Sequence, residues 1–399
     1  MKALLRYREN YTRLIVAIAL VCSVDSSTAQ EFLPELRLGA MGVVSGNIGL
    51  ADKKTASAVS DFSDSSVLLG ARQQLFGSYR AQFVVGFQFP DAESQLGQVF
   101  YHHLFVKLSN QRNVFQIGRS RLDSNLMEFP TLRDDDALSY TDAQSPFSDG
   151  QNSEDTQFGN LVQFGRYLTK RIRLDLHGEY YSETRRREES FELNTAGLTI
   201  GYRVPESQRW NRHRLDQLVF GLEGFFSKDD SDASLVREVL PNAKLGVAIN
   251  LRPDPVHFWR LVHQTIISFG ADDVQEINTY LDATRARSLA SFTSIEYVRR
   301  RLERPDYRIS VGGGVRIFTN LDKNSGQFIM VGNFFRRLGA KFDVGVQGIF
   351  EHSYGDMSFQ LPSNSFRINI GFIYAIEHVF NNQFDDRDSI LNLEHGYIN

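Results

Sequence analysis

The segment Tyr79-Arg80-Ala81-Gln82-Phe83-Val84-Val85-Gly86-Phe87-Gln88-Phe89 decides the fold. Taken two residues at a time, it sets Tyr79, Ala81, Phe83, Val85, Phe87 and Phe89 on one face and Arg80, Gln82, Val84, Gly86 and Gln88 on the other. That is the period of a β-strand with an oily side and a largely wet side. Further along, Ile172, Leu174, Leu176 and Tyr180 alternate with Arg171, Arg173, Asp175, His177 and Glu179, and Ala243, Leu245, Val247, Ile249 and Leu251 alternate with Asn242, Lys244, Gly246, Ala248 and Asn250. Charged and amide groups on one wall need water, because burying an unpaired charge costs several kcal/mol. The aliphatic wall needs hydrocarbon. The pattern predicts an all-β fold, an antiparallel transmembrane β-barrel whose polar face lines a water-filled lumen.

An export leader fits the same picture. Residues 1–29 are predicted to be a signal peptide, with Lys2, Arg6, Arg8 and Arg13 ahead of the apolar run 14–22 and Ser27-Thr28-Ala29 before the cut. That run is too short to span a bilayer as a helix, which takes about 20 residues. Cys22 is the only cysteine and lies in the leader, so disulfides and thiolate metal sites are not expected in the mature chain. The whole chain carries a formal charge of −4, which argues against nucleic acid as a partner. Residues 30–380 read as one barrel domain without a linker, and 381–399 as a polar tail.

The chain divides into sixteen expected strands: 35–44, 66–76, 79–89, 98–108, 114–119, 156–168, 171–182, 191–203, 215–227, 242–251, 256–270, 291–301, 307–318, 327–338, 341–353 and 365–380. Short links alternate with long ones, as they must if every second connection lies at the same end of a barrel; 204–214 is longer than the other short links. The longest connection is the third long one, 120–155. Paired aromatics near expected strand ends, among them Phe334-Phe335, Tyr374 with Phe380, and Trp259, suit girdles at the two membrane surfaces.

In this plan the chain resembles the general porins of Gram-negative bacteria. The resemblance rests on the strand count, on Phe115-Gln116-Ile117-Gly118-Arg119 before the third long loop, and on Asn369-Ile370-Gly371-Phe372-Ile373-Tyr374-Ala375-Ile376 in the last strand. Porins usually finish on an aromatic residue, whereas here residues 381–399 follow Phe380. The resemblance implies an outer-membrane homotrimer in contact with lipid and lipopolysaccharide. It also implies a third loop folded into the lumen, whose acids face basic residues on the opposite wall. Carried onto this sequence, the constriction would set Glu128, Asp134, Asp135 and Asp136 against Arg37, Arg72, Arg80 and Arg367. The expected function is passive diffusion of small hydrophilic solutes and ions through this charged constriction. The alternatives are a substrate-specific channel or export portal for a sugar, phosphate or acidic polymer, or a non-conducting barrel serving as an adhesin or enzyme. No cofactor is expected. Asp134-Asp135-Asp136 lacks the spacing of a dedicated calcium loop, and the histidines at 102, 103, 177, 213, 257, 263, 352, 378 and 395 form neither a zinc pair nor a partner to a Gly-x-Ser-x-Gly elbow, so an enzyme is not expected.

Overall fold

A computed structural model describes residues 34–51, 54–59, 65–75, 78–88, 100–120, 159–182, 191–204, 214–229, 238–252, 254, 256–270, 286–301, 304–319, 321, 324–339, 341–355 and 363–381. They form one antiparallel sheet of 17 strands: β1 (Glu35–Ala51), β2 (Lys54–Val59), β3 (Ser66–Gln74), β4 (Arg80–Gln88), β5 (Phe100–Ser109), β6 (Asn113–Ser120), β7 (Gly159–Tyr167), β8 (Ile172–Ser182), β9 (Phe191–Arg203), β10 (Leu215–Asp229), β11 (Glu238–Arg252), β12 (His257–Ser268), β13 (Ser288–Arg301), β14 (Arg304–Phe318), β15 (Ser325–Arg337), β16 (Phe342–Tyr354) and β17 (Asn364–Phe380). The sheet closes on itself. β1 pairs with β17 from Leu36↔Phe380 to Ala51↔Ser365, and from β3 onward each strand pairs with the next in sequence.

The wall has sixteen positions, because β2 and β3 share one of them. β3 pairs with the lower half of β1 (Arg72↔Glu35 to Ser66↔Met41), and β2 with its upper half (Val59↔Gly46 to Lys54↔Ala51). The expected loop 45–65 is therefore corrected: strand pairing runs through much of it. Its sequence, Gly46-Asn47-Ile48-Gly49-Leu50-Ala51 and then Lys54-Thr55-Ala56-Ser57-Ala58-Val59, is rich in small residues that give a weak alternation signal.

The short connections share a local device. Asn110 Oδ1 accepts hydrogen bonds from the Arg112 and Asn113 amides (2.8 and 2.7 Å), Thr169 Oγ1 from those of Arg171 and Ile172 (3.2 and 3.0 Å), and Asp254 Oδ1 from those of Val256 and His257 (2.8 and 2.9 Å). Each side chain takes up two amides that the ladder has just released, which fixes the turn and hence the register of the hairpin. At the other extreme of the chain, Asn381 adopts φ 53° and ends β17; asparagine tolerates this left-handed conformation well.

Outward positions are apolar along most strands. Leu36 and Leu38 on β1, Phe115 and Ile117 on β6, Val162 and Phe164 on β7, Leu218, Phe220 and Leu222 on β10, and Phe366, Ile368, Ile370 and Phe372 on β17 are all exposed. So many large apolar side chains cannot face water as a continuous belt without aggregation. Near the short-turn end, Trp259 packs on Tyr297 (4.8 Å between rings), Tyr297 on Tyr307 (5.8 Å), and the Arg299 guanidinium lies 5.7 Å from the Tyr307 ring. These amphipathic rings make a girdle of the kind that sits at headgroup level. Of the expected aromatic pair Phe334-Phe335, only Phe334 faces out; Phe335 points inward and is buried.

Candidate functional site

The candidate site is the inner wall, and its charged side chains are tied together across strands. Near the short-turn end, Glu35 Oε1 receives Arg37 Nε at 2.6 Å and lies 3.5 Å from Arg72 Nη1, while Arg37 Nη1 reaches Glu377 at 3.4 Å. Arg173 pairs with Asp175 at 2.6 Å, and Gln163 donates to the same carboxylate oxygen at 2.8 Å. His177 Nε2 lies 3.1 Å from Glu223 Oε1, whose other oxygen is 2.6 Å from Lys244 Nζ. Arg260 bridges Glu296 (2.6 Å) and Asp216 (3.4 Å); Arg337 binds Asp343 (3.0 Å). Toward the long-connection end, Glu351 accepts from Ser365 (2.9 Å) and Arg367 (3.3 Å).

Inward glycines make several of these contacts possible. His177, Gly197 and Glu223 lie in one cross-strand row, and a Cβ on Gly197 would come within 2.6 Å of the imidazole. Gly165 sits opposite Asp175, and a Cβ there would meet the Asp175 carboxylate at 2.6 Å and the Arg173 guanidinium at 2.7 Å. With no side chain in the middle of the row, a long polar group lies flat on the wall and reaches past its neighbour.

The same device serves apolar residues. The Phe292 ring lies over Gly312 and Gly314 and packs with Ile266, Ala290, Ile329, Val331 and Ile349. A second inward cluster joins Met41, Leu68, Val84, Phe105, Phe335 and Ile373. The inner wall is thus polar in some sectors and apolar in others, a mixture that the single-strand alternation of 79–89 only hinted at through Val84.

Three of the expected basic residues gather near the short-turn end. Arg37 and Arg72 share Glu35, and Arg80 lies inward on β4 opposite Gln74 and Ser109. Arg367 does not join them. It pairs in register with Gly49 and Ile349, and along β17 it lies twelve residues from Val379, the partner of Arg37, which is on the order of 40 Å of strand. Glu128, Asp134, Asp135 and Asp136 lie outside the described residues. The sequence reading placed Arg173, Asp175 and His177 on the inner face but missed their partners and the Glu223–Lys244 and Arg260–Glu296–Asp216 groups. The signal that would have found these is the pairing of opposite charges on the same face of hairpin neighbours.

Among the described residues, inward cations outnumber inward carboxylates. Arg80, Lys107, Arg203, Arg308 and Arg316 add to the paired arginines and Lys244, against Glu35, Asp175, Asp216, Glu223, Glu296, Asp343, Glu351 and Glu377. At the start of the third long connection, Gly118 has φ 124°, and a Cβ there would collide with the Leu104 carbonyl oxygen. Only glycine fits this strand end, which the sequence reading singled out as Gly118-Arg119.

Solved structures share this architecture. The outer membrane channel DcaP of Acinetobacter baumannii aligns with a TM-score of 0.59 at 11% identity, covering 86% of this chain and 97% of that one. The anion-selective porin from Comamonas acidovorans aligns at 0.56 and 11%, covering 86% and 100%. OprB of Pseudomonas putida aligns at 0.53 and 9%, covering 88% and 96%. The fold is that of the outer-membrane porins. At these identities the likeness establishes the porin architecture and leaves function to the residues themselves. No protein-family model matches the chain, and no curated protein matches it.

Proposed function

We propose that this protein is a passive outer-membrane diffusion channel for small hydrophilic solutes and ions. The observation that carries the reading is the closed sixteen-position wall with charged and amide side chains inside and an exposed apolar belt outside. Such an interior is stable only with water or compensating charge against it, and a ring of this size encloses a bore wide enough for both. In this reading the third long connection, with Glu128, Asp134, Asp135 and Asp136, narrows the bore. The basic side is a ladder along the wall, from Arg37, Arg72 and Arg80 at one end to Arg367 at the other. Recordings from purified protein in planar lipid test it: an ohmic conductance of porin size is expected, and absence of current from correctly folded, membrane-inserted protein overturns it.

A second reading, a narrower and more solute-selective channel, is favoured by the two inward apolar clusters. Phe105, Phe292 and Phe335 thicken the wall where they pack and reduce the bore available to water. Exclusion of graded polyethylene glycols separates the two: a general channel admits polymers of several hundred daltons, and a narrowed one excludes them.

A further inference from the structure

At the short-turn end of β12–β15 the outward side chains fall into rows of different chemistry. The rim row, in register across four strands, is His257, Arg299, Tyr307 and Arg336. Next up the strands come Trp259, Tyr297, Ile309 and Phe334, and after them Leu261, Ile295, Val311 and Gly332. Arg252 on β11 joins the rim, in register with Trp259 past a β-bulge. Cations at the rim, amphipathic rings above them and hydrocarbon beyond match one phospholipid leaflet, from phosphate through glycerol esters to acyl chains.

The rim carries more cation than its own acids absorb. Arg252, Arg299 and Arg336 are exposed. Asp306 lies 4.0 Å from Arg299 Nε, and Asp254 Oδ1 is taken up by the Val256 and His257 amides. Arg336 has no carboxylate partner among the described residues. The aromatic row is held in place: His257 Nδ1 and Tyr297 Oη are 2.6 Å apart, Tyr297 packs between Trp259 and Tyr307, and Arg299 lies over the Tyr307 ring. A guanidinium resting on a ring still presents its N–H edge to a phosphate, which it binds bidentately.

Arg299 and Arg336 stand two strands apart, about 10 Å, a gap that two long side chains close around one anion. A phosphodiester bearing a net negative charge neutralises the surplus, whereas an ethanolamine headgroup would set a further ammonium among the arginines. Short turns lie at the periplasmic end of such barrels, so these rows belong to the leaflet opposite the extracellular loops.

We propose that this rim is a binding site for an anionic phospholipid of the periplasmic leaflet, with the phosphate between Arg299 and Arg336 beside Tyr307 and the acyl chains along Ile309, Phe334 and Val311. The inference rests on the membrane placement proposed above and adds the occupant of one site on it. The test is native mass spectrometry of the detergent-purified protein titrated with dioleoyl phosphatidylglycerol or dioleoyl phosphatidylethanolamine. Phosphatidylglycerol should bind at least about tenfold more tightly, the scale of one hydrogen bond to a charged group. Arg299→Gln with Arg336→Gln should erase that preference. Arg166→Gln with Lys170→Gln, exposed cations at the β7–β8 turn, should leave it unchanged. Equal binding of the two lipids by the unaltered protein overturns the proposal, whether or not any variant folds. A preference that survives replacement of Arg299 and Arg336, or that is lost equally with Arg166 and Lys170, overturns it as well, the latter by assigning it to bulk charge. Displacement of the lipid by excess inorganic phosphate also overturns it, by assigning the arginines to a free anion. Membrane-inserted protein without a lipid preference defeats only this site. Protein that leaves the membrane without detergent defeats the placement beneath it.

Discussion

Single positions in this barrel divide into those that the fold requires and those that it does not. Gly118 is required, since φ 124° and the nearby Leu104 carbonyl leave no room for a Cβ. Gly118→Ala is expected to lower barrel stability by about 1–3 kcal/mol, the usual range for a residue held in a sparsely populated backbone conformation. Gly332→Ala, with nothing within 4 Å of the added carbon, is expected to leave unfolding in urea unchanged. Equal losses for the two would contradict the distinction. Arg260 is required in a different way. It is buried between Glu296 and Asp216, so Arg260→Met strips Glu296 of its paired cation and Asp216 of one, with an expected loss of about 3–5 kcal/mol. Adding Glu296→Gln should restore much of that loss, because the charge left behind, more than the lost contact, causes it. A double variant no more stable than the single one would assign the effect to packing of the arginine stem.

Elements were legible to the extent that their residues alternate. Residues 79–89, 171–182 and 242–251 show a clear period of two, and the structure has β4 at Arg80–Gln88, β8 at Ile172–Ser182 and β11 at Glu238–Arg252. The stretch 46–59 was opaque, because glycine, alanine and serine on both faces carry little contrast. The wall charges were legible as inward residues, but their partners depend on register, which is set by the turns. Asp254 shows how. Its carboxyl is held below the usual carboxylate range, first by the His257 amide and then by the Val256 amide. A carboxylate with a depressed folded pKa contributes stability that is fully present above its unfolded value near 3.9, and loses it as pH falls through the lower folded value. The stability advantage of the unaltered chain over Asp254→Ala, followed by thermal unfolding in detergent, should therefore be constant from neutral pH to about pH 5 and shrink in more acidic solution. An advantage independent of pH down to 2 would mean that the turn does not depend on the charged form.

Across the whole molecule the charge is unevenly distributed. The chain carries a formal charge of −4, yet cations outnumber carboxylates on the described inner wall. The surplus acid therefore lies mainly in the connections. The stretch 121–158 holds Asp123, Glu128, Asp134, Asp135, Asp136, Asp142, Asp149, Glu154 and Asp155 against Arg121 and Arg133 alone. Fields from fixed charges are focused in a low-dielectric channel, so whichever group lies at the narrowest point sets the ion preference. If the acidic connection governs, replacing Asp134, Asp135 and Asp136 together with Asn should cut the cation-to-anion permeability ratio at least about twofold, read as a shift of the reversal potential under a salt gradient. If the wall governs, that variant changes little, and Arg80→Gln with Arg316→Gln moves the ratio the other way, toward cations. The two sets are independent in sequence, so the larger shift locates the constriction. Unchanged potentials in both would place it at residues that neither set touches.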